Sequence, residues 1–234
     1  MKLDAFQRYV NQHLNIVLEK EQIEAFATYL NMLKEWNNFF NLTAIVDDEQ
    51  IVEKHFLDSL IPLKYVSLKD KKVIDIGTGA GFPGMAIAIA LPEVKMTLLE
   101  PNNKKFHFLS AVKDKLQLKN VTIISGRAET ENELRERYDV AIARAVKQLN
   151  ILLELSMPLL KVKGFFIAMK SSSANEEIAL SKKALNVLKC TIQAIHQDIL
   201  PTEKDERVSV IIVKNDTTPN RYPRPYHLIS AKPL

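Results

Sequence analysis

The sequence is poor in cysteine, in glycine and in long apolar runs. One cysteine, Cys190, stands among 234 residues. That excludes a disulfide framework and a Cys-rich zinc site, and it fits a reducing compartment. No metal site is expected. The longest unbroken apolar run is residues 85–91, far short of the ~20 residues that a membrane-spanning helix requires. Residues 1–5 lack the apolar core of a secretion signal, so the expected location is the cytoplasm, away from any membrane. Neither sign of charge is scarce: 32 Lys and Arg oppose 28 Asp and Glu. With 47% hydrophobic and 26% charged residues, the make-up is that of an ordinary folded protein. A chain this long buries about 70% of its unfolded surface and needs no covalent staple.

The charges are unevenly spread. Residues 1–70 hold 7 Lys/Arg against 11 Asp/Glu, residues 71–213 hold 21 against 16, and residues 214–234 hold 4 against 1. The positive charge lies in the second part and the tail, an arrangement compatible with a polyanion such as RNA and equally with a lysine-rich solvated face. Glycine is more informative. Only six occur, and four of them are Gly77, Gly79, Gly81 and Gly84. Glycine serves where a backbone takes positive φ or comes very close to a ligand, so a special loop is expected there.

Two rhythms divide the chain. In residues 1–64, Leu3, Phe6, Val10 and Leu14 recur at helical spacing, as do Ile23, Phe26, Leu30 and Leu33. A third helical segment covers about 49–60, and residues 37–43 read as a loop. From residue 71 short apolar runs alternate with helical stretches. Strands are expected at 72–76, 95–99, 121–125, 139–143, 164–169, 191–198 and 208–214, with helices at about 84–91, 104–116, 131–137, 148–160 and 174–188. Alternating strands and helices mean a parallel sheet covered on both faces. Residues 201–207 are turn material, so the last two strands form an antiparallel hairpin. The expectation is an α/β fold: a seven-stranded, mostly parallel Rossmann-like sheet (71–214), an N-terminal helical cap (1–70) and an extended, proline-rich basic tail (215–234), packed as one unit.

Residues 73–84 form a strand, a glycine turn and a helix start, a natural site for an anion. Two cofactors compete for it. Residues 79–84 satisfy the dinucleotide fingerprint G-x-G-x-x-G, with Glu100 twenty-one residues beyond Gly79. The series Asp75, Gly77, Gly79, Gly81 fits instead the acid-x-Gly-x-Gly-x-Gly of S-adenosylmethionine (SAM) methyltransferases. An acid beside the turn repels a pyrophosphate and suits a cationic ligand, so Asp75 favours SAM over NAD. The closing hairpin and the lack of a second lobe favour it too. Glu100, at the end of the second strand, suits the ribose diol. After the third strand, Ala128 and Glu129 are candidates for the adenine edge. Pro83 reads as a helix-start proline.

The end of the fourth strand reads Ala143-Arg144-Ala145-Val146. It lacks the Asn/Asp-Pro-Pro-aromatic motif of enzymes that methylate exocyclic amines. Cys190 is too far along the topology to serve as the nucleophile for a pyrimidine C5, and no His/Asp pair marks a general base. Guanine N7 carries a lone pair and no proton to lose, so its methylation needs alignment and none of these groups. Arg144 is the candidate positioning residue, holding either the SAM carboxylate or the guanine O6.

Asn41-Leu42-Thr43-Ala44, the run from Lys54 to Leu60, Asp75 to Gly84, Ala143-Arg144-Ala145 and Lys170 together resemble the glucose-inhibited division protein B family. These are bacterial enzymes that methylate guanine N7 in small-subunit ribosomal RNA. The resemblance spans nearly the whole chain, including Tyr222-Pro223-Arg224. It implies a class I SAM methyltransferase with a helical cap, acting on N7 of a guanine in the 530 loop of 16S RNA or in the small-subunit particle, as a monomer. Carried over by position, SAM contacts fall on Gly77, Phe82, Ala128, Glu129 and Arg144. Ser171 stands where the family has glycine, and Ala143 where it commonly has serine. Asp58 and Ser59 are expected to close over the cofactor, and His55 to line the pocket. Asn38, Asn41 and Lys170 are expected to face RNA. Arg221, Arg224 and Lys232 of the tail are expected to contact phosphates, with SAM affinity independent of the tail. A SAM enzyme acting on a small molecule, and a SAM-sensing RNA-binding protein without turnover, are the rival readings.

Overall fold

The computed structural model describes residues 1–144 and 147–234; Ala145 and Val146, part of the motif at the fourth strand end, lie outside the described residues. Seven strands form one sheet: β1 (Lys72–Ile76), β2 (Lys95–Leu99), β3 (Val121–Ile124), β4 (Tyr138–Arg144), β5 (Leu160–Lys170), β6 (Cys190–Ile199) and β7 (Glu206–Lys214). Their order is β3-β2-β1-β4-β5-β7-β6. The first five pair in parallel, and β7 runs antiparallel to both β5 and β6. The switch of direction in strand order falls between β1 and β4, where open α/β sheets bind ligands beyond their carboxyl ends.

Each central strand is apolar on both sides because helices cover both faces. On one face lie α1 (Leu3–His13), α2 (Lys20–Asn37), α5 (Gly84–Ala90) and α6 (Asn103–Lys115). They enclose a core that includes Phe6, Phe26, Phe56, Val73 and Met96. The other face is covered by α7 (Leu149–Ser156), α8 (Ala174–Leu180), α9 (Lys182–Val187) and α10 (Tyr226–Ala231). There Ile74 and Ile76, which alternate with Val73 along β1, meet Leu152, Ala184 and Ile229. Phe6 and Phe26 meet edge to face at 5.1 Å, and Phe26 lies 5.0 Å from Phe56, so α1 and α2 close on the third helical segment through aromatic rings.

That segment is irregular. It runs α3 (Asp48–Ile51), then a π-helical stretch Val52–Leu57, then α4 (Asp58–Leu60). π-Helical turns often mark functional sites. The fully buried Glu53 uses Oε1 to accept the backbone N–H groups of Thr202 and Glu203, and Lys54 Nζ lies 2.9 Å from Glu203. The turn of the β6–β7 hairpin is thereby fastened to the N-terminal cap.

Three expectations about elements change. Residues 131–137 hold only a short 3-10 turn, Asn132–Leu134; the stretch is almost wholly charged and offers one apolar residue, Leu134, to bury. The helix expected over 174–188 is two, broken at the buried Ser181, whose Oγ donates back to Glu177 O at 2.7 Å. The tail is not simply extended. It carries α10, and Tyr222, Ile229 and Leu234 are buried. Cys190, at the start of β6, is buried and its thiol is pushed up to about 12 by desolvation, which leaves it no part in chemistry.

Candidate active site

The glycine turn comes first, because everything else is arranged around it. Gly77, Gly79 and Gly81 have φ of 67°, 64° and 102°, values that only glycine adopts cheaply. Four contacts hold the turn. Asp75 Oδ2 accepts from Thr78 Oγ1 at 2.5 Å and from the Gly84 N–H at 2.7 Å. Glu100 Oε2 accepts from Gly79 N–H at 2.8 Å, and Tyr29 Oη donates to Ala80 O. Asp75 therefore braces the glycine turn through Oδ2. Its carboxylate is wholly buried and turned into the loop, and Oδ1 has no partner among the described residues.

Burial raises the Asp75 pKa to about 6 from 3.8. Between those two values the folded chain holds a proton that the unfolded chain has released. The contribution of Asp75 to stability then falls as pH rises from about 4 to about 6. It is opposite in sign to that of Asp139 and Asp205, whose pKa values their cationic neighbours lower. Asp75→Asn keeps an oxygen for the Thr78 and Gly84 donors and cannot ionise. Urea unfolding at several pH values is expected to give it a profile without that falling contribution across the window; a profile parallel to that of the wild type would contradict the assignment.

Two cavities open beyond the strand ends and share Lys147. The first, of about 330 Å³, is lined by Ile76 and Gly77 at the end of β1, Leu99 and Pro101 at β2, Gly126 to Glu129 after β3, and Leu155, Lys147 and Tyr226. Gly77, Ala128 and Glu129 thus stand together as expected, while Gly79, Gly81 and Glu100 build the turn beside them. Glu100 is nearly buried, and its Oε1 accepts the Asn102 N–H. Lys147, Pro101, Leu155 and Tyr226 are lining residues that the sequence did not reveal. The apolar walls, the two nearby carboxylates and the positive-φ glycines fit a nucleoside with a ribose diol.

The second cavity, of about 510 Å³, is lined by His55, Asp58, Arg144, Lys170, Arg207 and Glu177 among others. Arg144, at the end of β4, is held three ways: Nη1 donates to Lys54 O and Asp58 Oδ2, each at 2.9 Å, and Nη2 donates to His55 Nδ1 at 3.1 Å. Its guanidinium lies 5.3 Å over the Phe82 ring, which stacks on His55 at 4.5 Å. Phe82 is therefore a floor beneath Arg144 and His55. Asp58 is shared with Arg207, whose Nε lies 2.9 Å from Oδ1. The buried Ser59 faces inward, donating to His55 O.

His55 Nδ1 lies 3.1 Å from Arg144 Nη2, which only donates, and 3.2 Å from Lys54 O, which only accepts. We assign the shorter contact as the hydrogen bond, which makes Nδ1 the accepting nitrogen and puts the proton on Nε2. The proton points to Thr43 Oγ1 at 2.8 Å. Burial, then the Arg144 charge, lowers the His55 pKa to about 3. The ring is neutral at every pH where the protein is expected to work.

The expected RNA contacts divide. Asn38 and Asn41 lie on the loop after α2, and both are exposed. The turn itself is tied by Asn37, whose Oδ1 accepts the N–H groups of Leu42 and Thr43. Lys170 is nearly buried and pairs with Glu177 at 2.7 Å while lining the second cavity. Arg221 and Lys232 are exposed. Arg224 is not available to a phosphate: Nε and Nη2 bind the fully buried Glu154 at 2.8 and 2.6 Å.

A sheet of this order with its nucleoside-sized cavity at the β1/β4 switch is the fold of class I SAM methyltransferases. It is shared with the 16S rRNA (adenine(1408)-N(1))-methyltransferase from Catenulisporales acidiphilia (TM-score 0.54, 14% identity, 64% of this chain and 90% of that one). M. jannaschii TYW2 in complex with AdoMet is similar too (TM-score 0.57, 16% identity, 73% and 79%). Residues 22–205 match the family described as GidB, rRNA small subunit methyltransferase G. The chain is 44% identical over 231 residues to the Ribosomal RNA small subunit methyltransferase G of Clostridium kluyveri, covering 96% of each. It is 42% identical over 213 residues to that of Bacillus licheniformis, covering 89% of each. The chain belongs to this family and is a SAM-dependent methyltransferase.

Proposed function

We propose that the protein, acting as a monomer, methylates N7 of a guanine in the 530 loop of 16S ribosomal RNA. One observation carries the reading: among the described residues lining the larger cavity, every carboxylate and imidazole is already engaged. Asp58 holds two arginines, Glu177 holds Lys170, and His55 is kept neutral with its lone pair directed at Arg144. Such a site suits an acceptor with a lone pair and no proton to remove.

SAM, when bound, supplies a methyl group on a sulfonium cation. Gly77, Ala128 and Glu129 would hold the adenosine, with Glu100 at the ribose. Arg144, fixed by its three acceptors, would orient either the cofactor's carboxylate or the guanine O6. Lys170 and Arg207 line the larger cavity, each already paired with a carboxylate, and the exposed Asn38, Asn41 and Arg221 would meet the RNA at the surface. Arg144→Ala is expected to slow single-turnover transfer by about 10²–10³-fold, the loss typical of a preorganised donor. A change below about threefold, too small for such a donor, would remove Arg144 from the machinery.

The function is tested by supplying methyl-labelled SAM with 16S RNA and, separately, with small-subunit particles. Mass spectrometry of nuclease fragments is expected to find the label on one 530-loop guanine at N7. Label on an exocyclic amine or a ribose, or turnover without RNA, would refute the proposal.

A further inference from the structure

The smaller cavity has one aromatic residue in its lining among the described residues, and that residue belongs to the tail. Tyr226, the first residue of α10, faces a lining that is otherwise aliphatic, glycine or charged. Two cations of the same cavity flank its ring: the Arg127 guanidinium at 5.9 Å and the Lys147 ammonium at 5.7 Å. Lys147 lines both cavities, so Tyr226 stands beside the residue that the two share.

The tail is bolted down on either side of this ring. Before it, Arg224 binds the buried Glu154 of α7, and Arg135 Nη1 donates to Tyr222 O at 2.8 Å. After it, Ile229 is fully buried in the core on that face of the sheet. A mobile basic arm would not be fastened in this way. Aromatic rings bind nucleobases through their faces, and nearby cations strengthen such stacks.

We infer that the tail is a fixed wall of the cofactor pocket, and that Tyr226 presents an aromatic surface to the adenine. The tail then governs SAM affinity, contrary to the expectation from its basic sequence that only RNA binding would depend on it. This inference rests on the SAM reading of the cavity.

Calorimetric titration of SAM and of adenosine into the folded protein separates the two claims. Tyr226→Ala is expected to weaken both ligands by the same factor, about 10- to 100-fold. Tyr226→Phe is expected to stay within about twofold of the wild type, since stacking uses the ring and not the hydroxyl, and His227→Ala, on exposed surface, to match it. If the Ala variant loosens the tail, as judged by its melting temperature, Tyr226→Leu carries the test, because leucine fills space without offering an aromatic face. Wild-type affinity for both ligands in a folded Tyr226→Ala or Tyr226→Leu variant would overturn the assignment. So would a loss in Tyr226→Phe as large as that in Tyr226→Ala. Failure of the wild type itself to bind SAM would count against the cofactor reading instead.

Discussion

RNA carrying 7-deazaguanine at the target position is expected to accept no methyl group, while RNA with ordinary guanine there is methylated. The analogue puts carbon in place of N7 and leaves O6, N1 and the exocyclic amine unchanged. It removes one lone pair and little of the binding surface. Loss of transfer with RNA affinity retained therefore isolates N7, and methylation of the analogue at the same nucleotide would sink the assignment. The accompanying pH profile is informative because of His55. Its pKa, lowered to about 3 by burial and Arg144, puts its titration far below the assay range. Transfer between about pH 6 and 8.5 should lack the rising limb that a histidine base near its ordinary pKa would produce.

Arg224→Ala is expected to cost about 3–5 kcal/mol of stability, because it leaves the buried Glu154 without its guanidinium partner. For a chain of this size that corresponds to a fall of roughly 6–20 °C in melting temperature. The double variant Arg224→Ala, Glu154→Leu should recover most of the loss, since replacing both members of a buried pair is far cheaper than removing one. The salt dependence of RNA binding should stay close to that of the wild type in the double variant, because Arg224 is spent on Glu154 and makes no phosphate contact. A drop of about 0.7 in the salt slope, the contribution of one phosphate contact on single-stranded RNA, would restore it to the RNA surface.

The sheet was legible because its signals are local. The strand expected at 95–99 is β2 to the residue, and 72–76 is β1, since a parallel strand buried on both faces reads as a short apolar block between polar flanks. The glycine turn was legible for the same reason: Asp75 to Gly84 lie together in the chain. The role of Asp75 was not. Sequence gives the residue and not the direction of its carboxylate, which two donors within nine residues pull inward. Arg224 was misread in the same way. A basic, proline-rich stretch looks solvated until its acidic partner, seventy residues earlier on α7, is brought beside it. Tyr226 and Lys147 carry no pattern at all; the docking of α10 on α7 brings Tyr226 to the cavity, and Lys147 stands there because it follows the end of β4.

Asp58 is bonded on one side to Arg144, 86 residues later, and on the other to Arg207, 149 residues later. Arg144 ends β4 and Arg207 lies on β7, while the carboxylate belongs to the cap. One side chain therefore ties the cap to two strands of the sheet. Asp58→Ala would free two cations in a single step and untie the cap from both strands, so its cost should exceed that of losing either arginine's contact alone.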